Sequence, residues 1–135
     1  MGDVSERIEA IRKELGDKLL ILGHHYQRQS VLRHVDEKGD SLELSRRAGA
    51  NKTAEKIVFC GVEFMAESAD ILSSDNQTVY MPATEAGCPM ANMAKAEDMR
   101  SAWERLEAVV SGWLPVVYVN SAAAVKGCCG ELGGS

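Results

Sequence analysis

Four short, unbroken apolar runs constrain this chain more than any other feature. They are Leu19-Leu20-Ile21-Leu22, Ile57-Val58-Phe59-Cys60, Thr78-Val79-Tyr80-Met81 and Val116-Val117-Tyr118-Val119. A strand with one face in water alternates apolar and polar residues, whereas a parallel strand covered on both faces reads as a continuous apolar run. Between the runs lie segments of helical period. Asp3 with Glu6 forms a capping-box signal, and Ile8, Ile11 and Leu15 follow at helical spacing up to Gly16, which predicts a helix over about residues 4–15. Asp40 with Glu43 repeats the signal and opens a helix to about Ala48, closed by Gly49. Helices are further expected from Glu63 to Ser68 or Leu72, from Glu97 to Val110 with Met99, Trp103, Leu106 and Val110 on one face, and from Ser121 to Lys126 with Asn120 or Ser121 as cap. Strands alternating with helices predict an α/β fold, a three-layer α/β/α sandwich with a mainly parallel sheet.

The 135 residues match about one domain at roughly 100–200 residues each. Composition nevertheless shifts around Pro82–Pro89, the most irregular stretch, which divides the chain into a first α/β domain over 1–84 and the start of a second over 85–135. The last residues, Glu131 to Ser135, follow a strand-like run without a closing helix, so the chain reads as cut rather than finished.

A net charge of −5 and no Lys or Arg stripe argue against nucleic acid or an anionic membrane surface as partner. No apolar run approaches the roughly 20 residues that span a bilayer. The acidic, amphipathic N-terminus is no secretory signal, and Glu6 makes Gly2 a poor myristoylation site. A cytoplasmic location is therefore expected, with the four cysteines reduced. Their positions, Cys60, Cys88, Cys128 and Cys129, contain no CxxC or zinc-finger spacing.

Ligands of parallel α/β folds bind outside the C-terminal ends of the strands, and the unusual polar residues concentrate there. The first run leads into Gly23-His24-His25-Tyr26-Gln27. If extended geometry persists, His24 and Tyr26 share one face and His25 takes the other. They serve either as a ligand-binding pair or as a satisfied core histidine beside an ordinary tyrosine. Tyr118 and Asn120 repeat the spacing at the fourth run, where a buried Tyr and a helix-capping Asn is the plainer alternative. Asp40 and Ser41 open a helix whose free N–H groups suit a phosphate or carboxylate, although a simple cap accounts for Asp40 and its charge opposes an anion. Cys60 reads as a small core residue and Cys128-Cys129 as incidental. Cys88, between Gly87 and Pro89, is a candidate metal ligand or nucleophile, with no activating base evident nearby.

Together these segments resemble the quinolinate synthase family of bacterial NAD biosynthesis. The matching stretches are Ile21 to Gln27, Gly39 to Ser45, Val58 to Ala69, Met81-Pro82 with Ala86 to Ala91, and Pro115 to Lys126. The resemblance implies a transferase built from three similar α/β/α domains that condenses iminoaspartate with dihydroxyacetone phosphate to quinolinate. It also implies a [4Fe–4S] cluster held by three cysteines, one per domain, whose open iron acts as a Lewis acid. L-Aspartate oxidase, as supplier of iminoaspartate, is an expected partner. By position, Cys88 matches the first cluster ligand and Tyr26 the active-site tyrosine of proton transfer. His24, Ser41, Tyr118 and Asn120 match substrate contacts, and Phe64 an apolar wall. The second and third ligands and the catalytic glutamate lie beyond Ser135, so this chain alone is expected to be inactive. A different class of function, a free-standing phosphate- or dicarboxylate-binding module using His24, Ser41, Tyr118 and Asn120, is the alternative.

Overall fold

The computed structural model describes residues 3–135; Gly2, considered above for myristoylation, lies outside the described residues. The chain forms two compact units, the first running to Ala86 and the second spanning Gly87–Ser135.

The first unit opens with α1 (Val4–Leu15), whose entry is capped by the Asp3 N–H donating to Glu6 Oε2 at 3.2 Å. Gly16 ends it at φ 53°, a left-handed backbone that glycine adopts without a Cβ clash. Strand β1 (Leu19–His24) follows, then a short helix α2 (Gln29–Leu32), β2 (Glu37–Gly39), α3 (Ser41–Ala50), β3 (Lys56–Cys60), α4 (Glu63–Leu72) and β4 (Thr78–Tyr80). All pairings are parallel, in the order β2-β1-β3-β4. The chain therefore proceeds from β1 outward to β2, then crosses to the other side of β1 for β3. That reversal creates a switch point at the C-terminal ends of β1 and β3.

The fold is α/β, a parallel four-stranded sheet with helices on both sides. Register assigns the faces: Leu22 pairs with Phe59 and Leu20 with Ile57, while Ile21 pairs with Val58. Leu22, Ile57 and Phe59 have no solvent exposure and form the core with Leu44 and Ala48 of α3 and Phe64, Met65 and Ala69 of α4. The opposite face carries Leu19, Ile21 and Val58 and meets α1. A side-chain clasp ties α1 down: Arg12 pairs with Asp36, whose carboxylate also accepts the Ile21 N–H at 2.7 Å.

Several expectations require correction. Gly49 does not stop α3, which continues to Ala50 with Asn51 as its C-cap. Its role is close approach, since a Cβ there would stand 2.6 Å from the Leu72 carbonyl oxygen at the end of α4. Strand β2, Glu-Lys-Gly, escaped the hydrophobic reading because it is an edge strand ordered by the β1 backbone rather than by burial. Cys60 is only half-buried, on the α1 face, rather than a core residue; burial there pushes its thiol pKa up.

The second unit holds a 3-10 turn (Ala91–Met93), α5 (Ala96–Glu107) and α6 (Ala123–Glu131). Arg100 of α5 pairs with Glu131 of α6. Val110 lies beyond α5, and Leu106 on its expected apolar face remains 43% exposed. The run Val116–Val119 is not a strand. Val117 N–H donates to Ser135 O at 3.0 Å and Ser135 N–H to Pro115 O at 3.2 Å, a single parallel bridge around Val116 that a ladder would have to extend. Helix α6 begins at Ala123, so neither Asn120 nor Ser121 is its N-cap. Cys128 and Cys129 lie inside α6, both buried: Cys129 Sγ faces Pro115 O at 3.4 Å and Cys128 Sγ faces Ala96 O at 3.8 Å. Both thiols pack inside the second unit as small apolar groups.

Candidate functional site

The end of β1 carries the most concentrated polar group of the first unit. His24 is the last strand residue, paired with Gly39 of β2, and it is 8% exposed. The extended geometry stops there. His25 and Tyr26 form a turn, which gathers all three rings instead of alternating them across the sheet. His24 stacks on His25 at 4.4 Å between ring centroids, and Tyr26 meets His24 edge-on at 4.9 Å and His25 at 4.3 Å. His24 and Tyr26 are thus brought together, but by a turn rather than by strand periodicity, and His25 joins them. Tyr26 is 85% exposed, leaving its hydroxyl open to a ligand.

The hydrogen bonds define what each imidazole offers. The Tyr26 backbone N–H donates to His24 Nδ1 at 3.4 Å, so neutral His24 carries its proton on Nε2. His25 Nδ1 donates to Gly39 O at 3.0 Å, leaving its Nε2 as an acceptor when neutral. Burial lowers the His24 pKa from its ordinary 6.5, the charge of neighbouring His25 lowers it further, and Asp40 opposes both. The sign follows from linkage: the folded state resists protonation, so the unfolded chain binds more protons as pH falls below 6.5 and His24 favours unfolding there. A proton NMR titration of the protein is expected to return a His24 midpoint below 6.5. A midpoint at or above 6.5 without ligand would contradict the burial argument.

Ser41 stands at the neighbouring strand end, as the first residue of α3 directly after β2 and Asp40. Asp40 is the N-cap, its carboxylate accepting Glu43 N–H at 2.8 Å. That carboxylate occupies the position where a free anion would profit from the helix terminus, which weakens the module reading. Ser41 is half-exposed, and its carbonyl accepts Ser45 Oγ–H at 2.8 Å. Phe64, at the start of α4 after β3, is 4% exposed and belongs to the core. Residues from the C-terminal ends of β1, β2 and β3 therefore share one edge of the sheet, beside the switch point. His25 and Asp40 are the members of this group that sequence reasoning did not single out as site residues; the adjacent His-His pair was the available signal.

The second unit holds its own group. Asn120 Nδ2 donates to the Tyr118 hydroxyl oxygen at 3.4 Å, and Ser121 Oγ–H donates to Tyr118 O at 2.7 Å. Tyr118 is 63% exposed, so it is not the buried tyrosine of the plainer alternative. Cys88 is half-buried in the loop before the 3-10 turn, its carbonyl accepting Asn92 N–H at 2.9 Å. Among the described residues no three His, Cys, Asp or Glu side chains group as a metal site.

One further constellation deserves a chemical reading. Ser5 Oγ lies 3.2 Å from His34 Nε2, and His34 Nδ1 lies 3.0 Å from Glu9 Oε1, the order of a nucleophile, base and orienting acid. However, Arg33 Nε–H donates to the same His34 Nε2 at 3.2 Å and Nη2–H to Ser5 Oγ at 2.7 Å. The nitrogen needed to take the serine proton is already engaged. The group is a clasp holding α1 against the segment before β2. The His34 hydrogen bond is the main reason the Glu9 carboxyl is held below its usual range.

Comparison with known proteins gives the family. The family described as Quinolinate synthetase A protein matches residues 6–135. The quinolinate synthase of Halalkalibacterium halodurans is 51% identical over 134 residues, covering 98% of this chain and 36% of that protein. Those of Bacillus anthracis and Corynebacterium glutamicum are 47% and 48% identical, each over 98% of this chain and over 36% and 34% of their own lengths. The chain thus spans about a third of the length of these curated relatives. A match of this extent and identity, with the five motif stretches in order, means that the chain belongs to the Quinolinate synthetase A protein family.

Proposed function

We propose that this chain is a portion of a quinolinate synthase, the enzyme that condenses iminoaspartate with dihydroxyacetone phosphate, releasing phosphate and water. What supports the reading is family membership together with one observation: His24, Tyr26 and Ser41 lie at neighbouring strand ends on the ligand-binding edge of a parallel sheet. In this reading His24 donates its Nε2 proton to a substrate carboxylate or phosphate oxygen. Its depressed pKa keeps the ring neutral near pH 7, a hydrogen-bond donor that does not carry a fixed charge. Tyr26, with its exposed hydroxyl, donates and recovers a proton during the dehydration steps. Ser41 contributes a hydroxyl to an anionic group, and Tyr118 with Asn120 contacts substrate from the second unit. Cys88 is one ligand of a [4Fe–4S] cluster, which when bound supplies a Lewis acid at its open iron. Iminoaspartate reaches such an enzyme from an L-aspartate oxidase, and both act in the cytoplasm. No helix is long and apolar enough to cross a membrane among the described residues.

One thiolate does not retain a cluster that takes three or four. After anaerobic reconstitution with iron and sulfide, the 135-residue protein is expected to show no charge-transfer absorption and to form no quinolinate. One stable cluster per monomer would overturn the assignment of the missing ligands to the rest of a full-length chain.

A further inference from the structure

Among the three rings at the end of β1, His25 has no task in the proposed chemistry, yet it touches both of the others. It stacks on His24 at 4.4 Å between centroids and meets Tyr26 edge-on at 4.3 Å. Its Nδ1 lies 3.0 Å from Gly39 O, and a carbonyl only accepts, so Nδ1 carries a proton and donates whether the ring is neutral or charged. The backbone N–H of His25 donates to the same oxygen at 3.1 Å, which engages both lone pairs of that carbonyl.

The position of Gly39 gives these bonds their consequence. The pairing of β1 with β2 ends at His24 and Gly39, so strand pairing does not hold the two segments together beyond that point. After Gly39 come Asp40, the N-cap of α3, and Ser41, its first residue. After His24 come His25 and Tyr26, in a turn. The His25 ring bridges these two segments where the ladder stops. It packs on His24 and Tyr26, and its Nδ1 holds the carbonyl two residues before Ser41. Binding side chains reach productive geometry when packing and a supporting hydrogen bond fix them in this way.

On the proposed reading that His24, Tyr26 and Ser41 contact substrate, we infer that His25 is a positioning residue: its ring locks the His24–Tyr26 pair to the Gly39–Ser41 turn, so that the three side chains meet one ligand as a preorganised set. His25 itself does not touch substrate in this assignment. Without the lock, the two segments must be ordered by the ligand on binding, which weakens its capture. The bond is exposed, so its loss costs the fold little.

Three substitutions separate the donor from the ring. An Asn side chain places an amide N–H where Nδ1 stands, a Gln side chain places one nearer Nε2, and Phe keeps a ring that stacks but donates nothing. They are to be made in a full-length chain of this family that carries these 135 residues. In His25→Phe, kcat/KM for dihydroxyacetone phosphate is expected to fall about tenfold, mainly through KM and with bound iron unchanged. His25→Asn is expected to stay within about threefold of the parent. Equal losses in the two variants, or a better rate with Phe than with Asn, would overturn the inference. So would rescue by His25→Gln alone, which would put Nε2 on the ligand.

A second readout needs no turnover. By ¹⁵N relaxation of the 135-residue chain, the Tyr26 and Ser41 amides are expected to keep order parameters near about 0.85 in the parent and in His25→Asn, and to fall toward about 0.6 in His25→Phe. Rigid values in all three would overturn the inference. Failure of the parent full-length chain to form quinolinate would instead remove the substrate reading, and relaxation would still decide whether His25 locks the two segments.

Discussion

Replacing Cys88 with serine in a full-length chain of this family is expected to abolish both bound iron and quinolinate formation. Under the proposed assignment of Cys88 as a cluster ligand, a serine hydroxyl, protonated near neutral pH where a thiolate ligates, would leave that corner open and the cluster would be lost. Lewis-acid assistance supplies several kcal/mol at about 1.4 kcal/mol per tenfold in rate, so turnover is expected to fall by about 10³-fold or more. Iron content, visible absorption and product formation measured on one anaerobic preparation check the expectation. Cys128→Ala is the matched control: that thiol is buried in α6 against a backbone carbonyl, and its loss is expected to cost packing while leaving the iron content intact. Retention of iron and activity in Cys88→Ser would remove Cys88 from the ligand set.

The second large effect concerns the fold. Phe59 is fully buried on β3, paired with Leu22 and facing the helices α3 and α4. Phe59→Ala removes the ring's transfer free energy and leaves a cavity, together about 3–5 kcal/mol. A domain holds only about 5–15 kcal/mol in total, so the substitution uses much of the first unit's margin. At about 4–8 °C per kcal/mol for a unit of this size, the melting temperature is expected to fall by roughly 12–40 °C. Thermal unfolding followed by far-ultraviolet circular dichroism measures it. Ile71→Ala on the outer face of α4, where Ile71 is 64% exposed, is expected to change stability by no more than about 0.5 kcal/mol. A comparable loss from both substitutions would mean that the core is not centred on the β1–β3 pair.

How much of this was legible beforehand depended on how local the cause is. The capping residues Asp3 and Asp40, the positive-φ stop at Gly16 and the apolar runs at β1, β3 and β4 are properties of a few consecutive residues. They were readable as such. Gly49 was misread because its constraint comes from Leu72, 23 positions later, whose carbonyl leaves no room for a Cβ. Edge strand β2 has no apolar signature because its order is borrowed from β1 through three paired positions. The run Val116–Val119 shows the converse: its composition suits a strand, but only a single bridge, at Ser135, pairs with it. Strand character requires a partner that composition does not supply.

The candidate site divides in the same way. Sequence by itself determined the family, the parallel α/β class and the place of His24 and Tyr26 at the end of β1, because apolar runs and motif order are carried by the chain directly, whereas Tyr118 and Asn120 follow a run that is not a strand. Tertiary structure decided how those residues meet. The turn after His24 replaced period-two alternation with a three-ring cluster, because the ladder that enforces alternation ends at the Gly39 pairing. It also decided that Cys60 faces an open groove beneath α1 rather than a closed core, since coverage of a face depends on every element around it and on none of them alone.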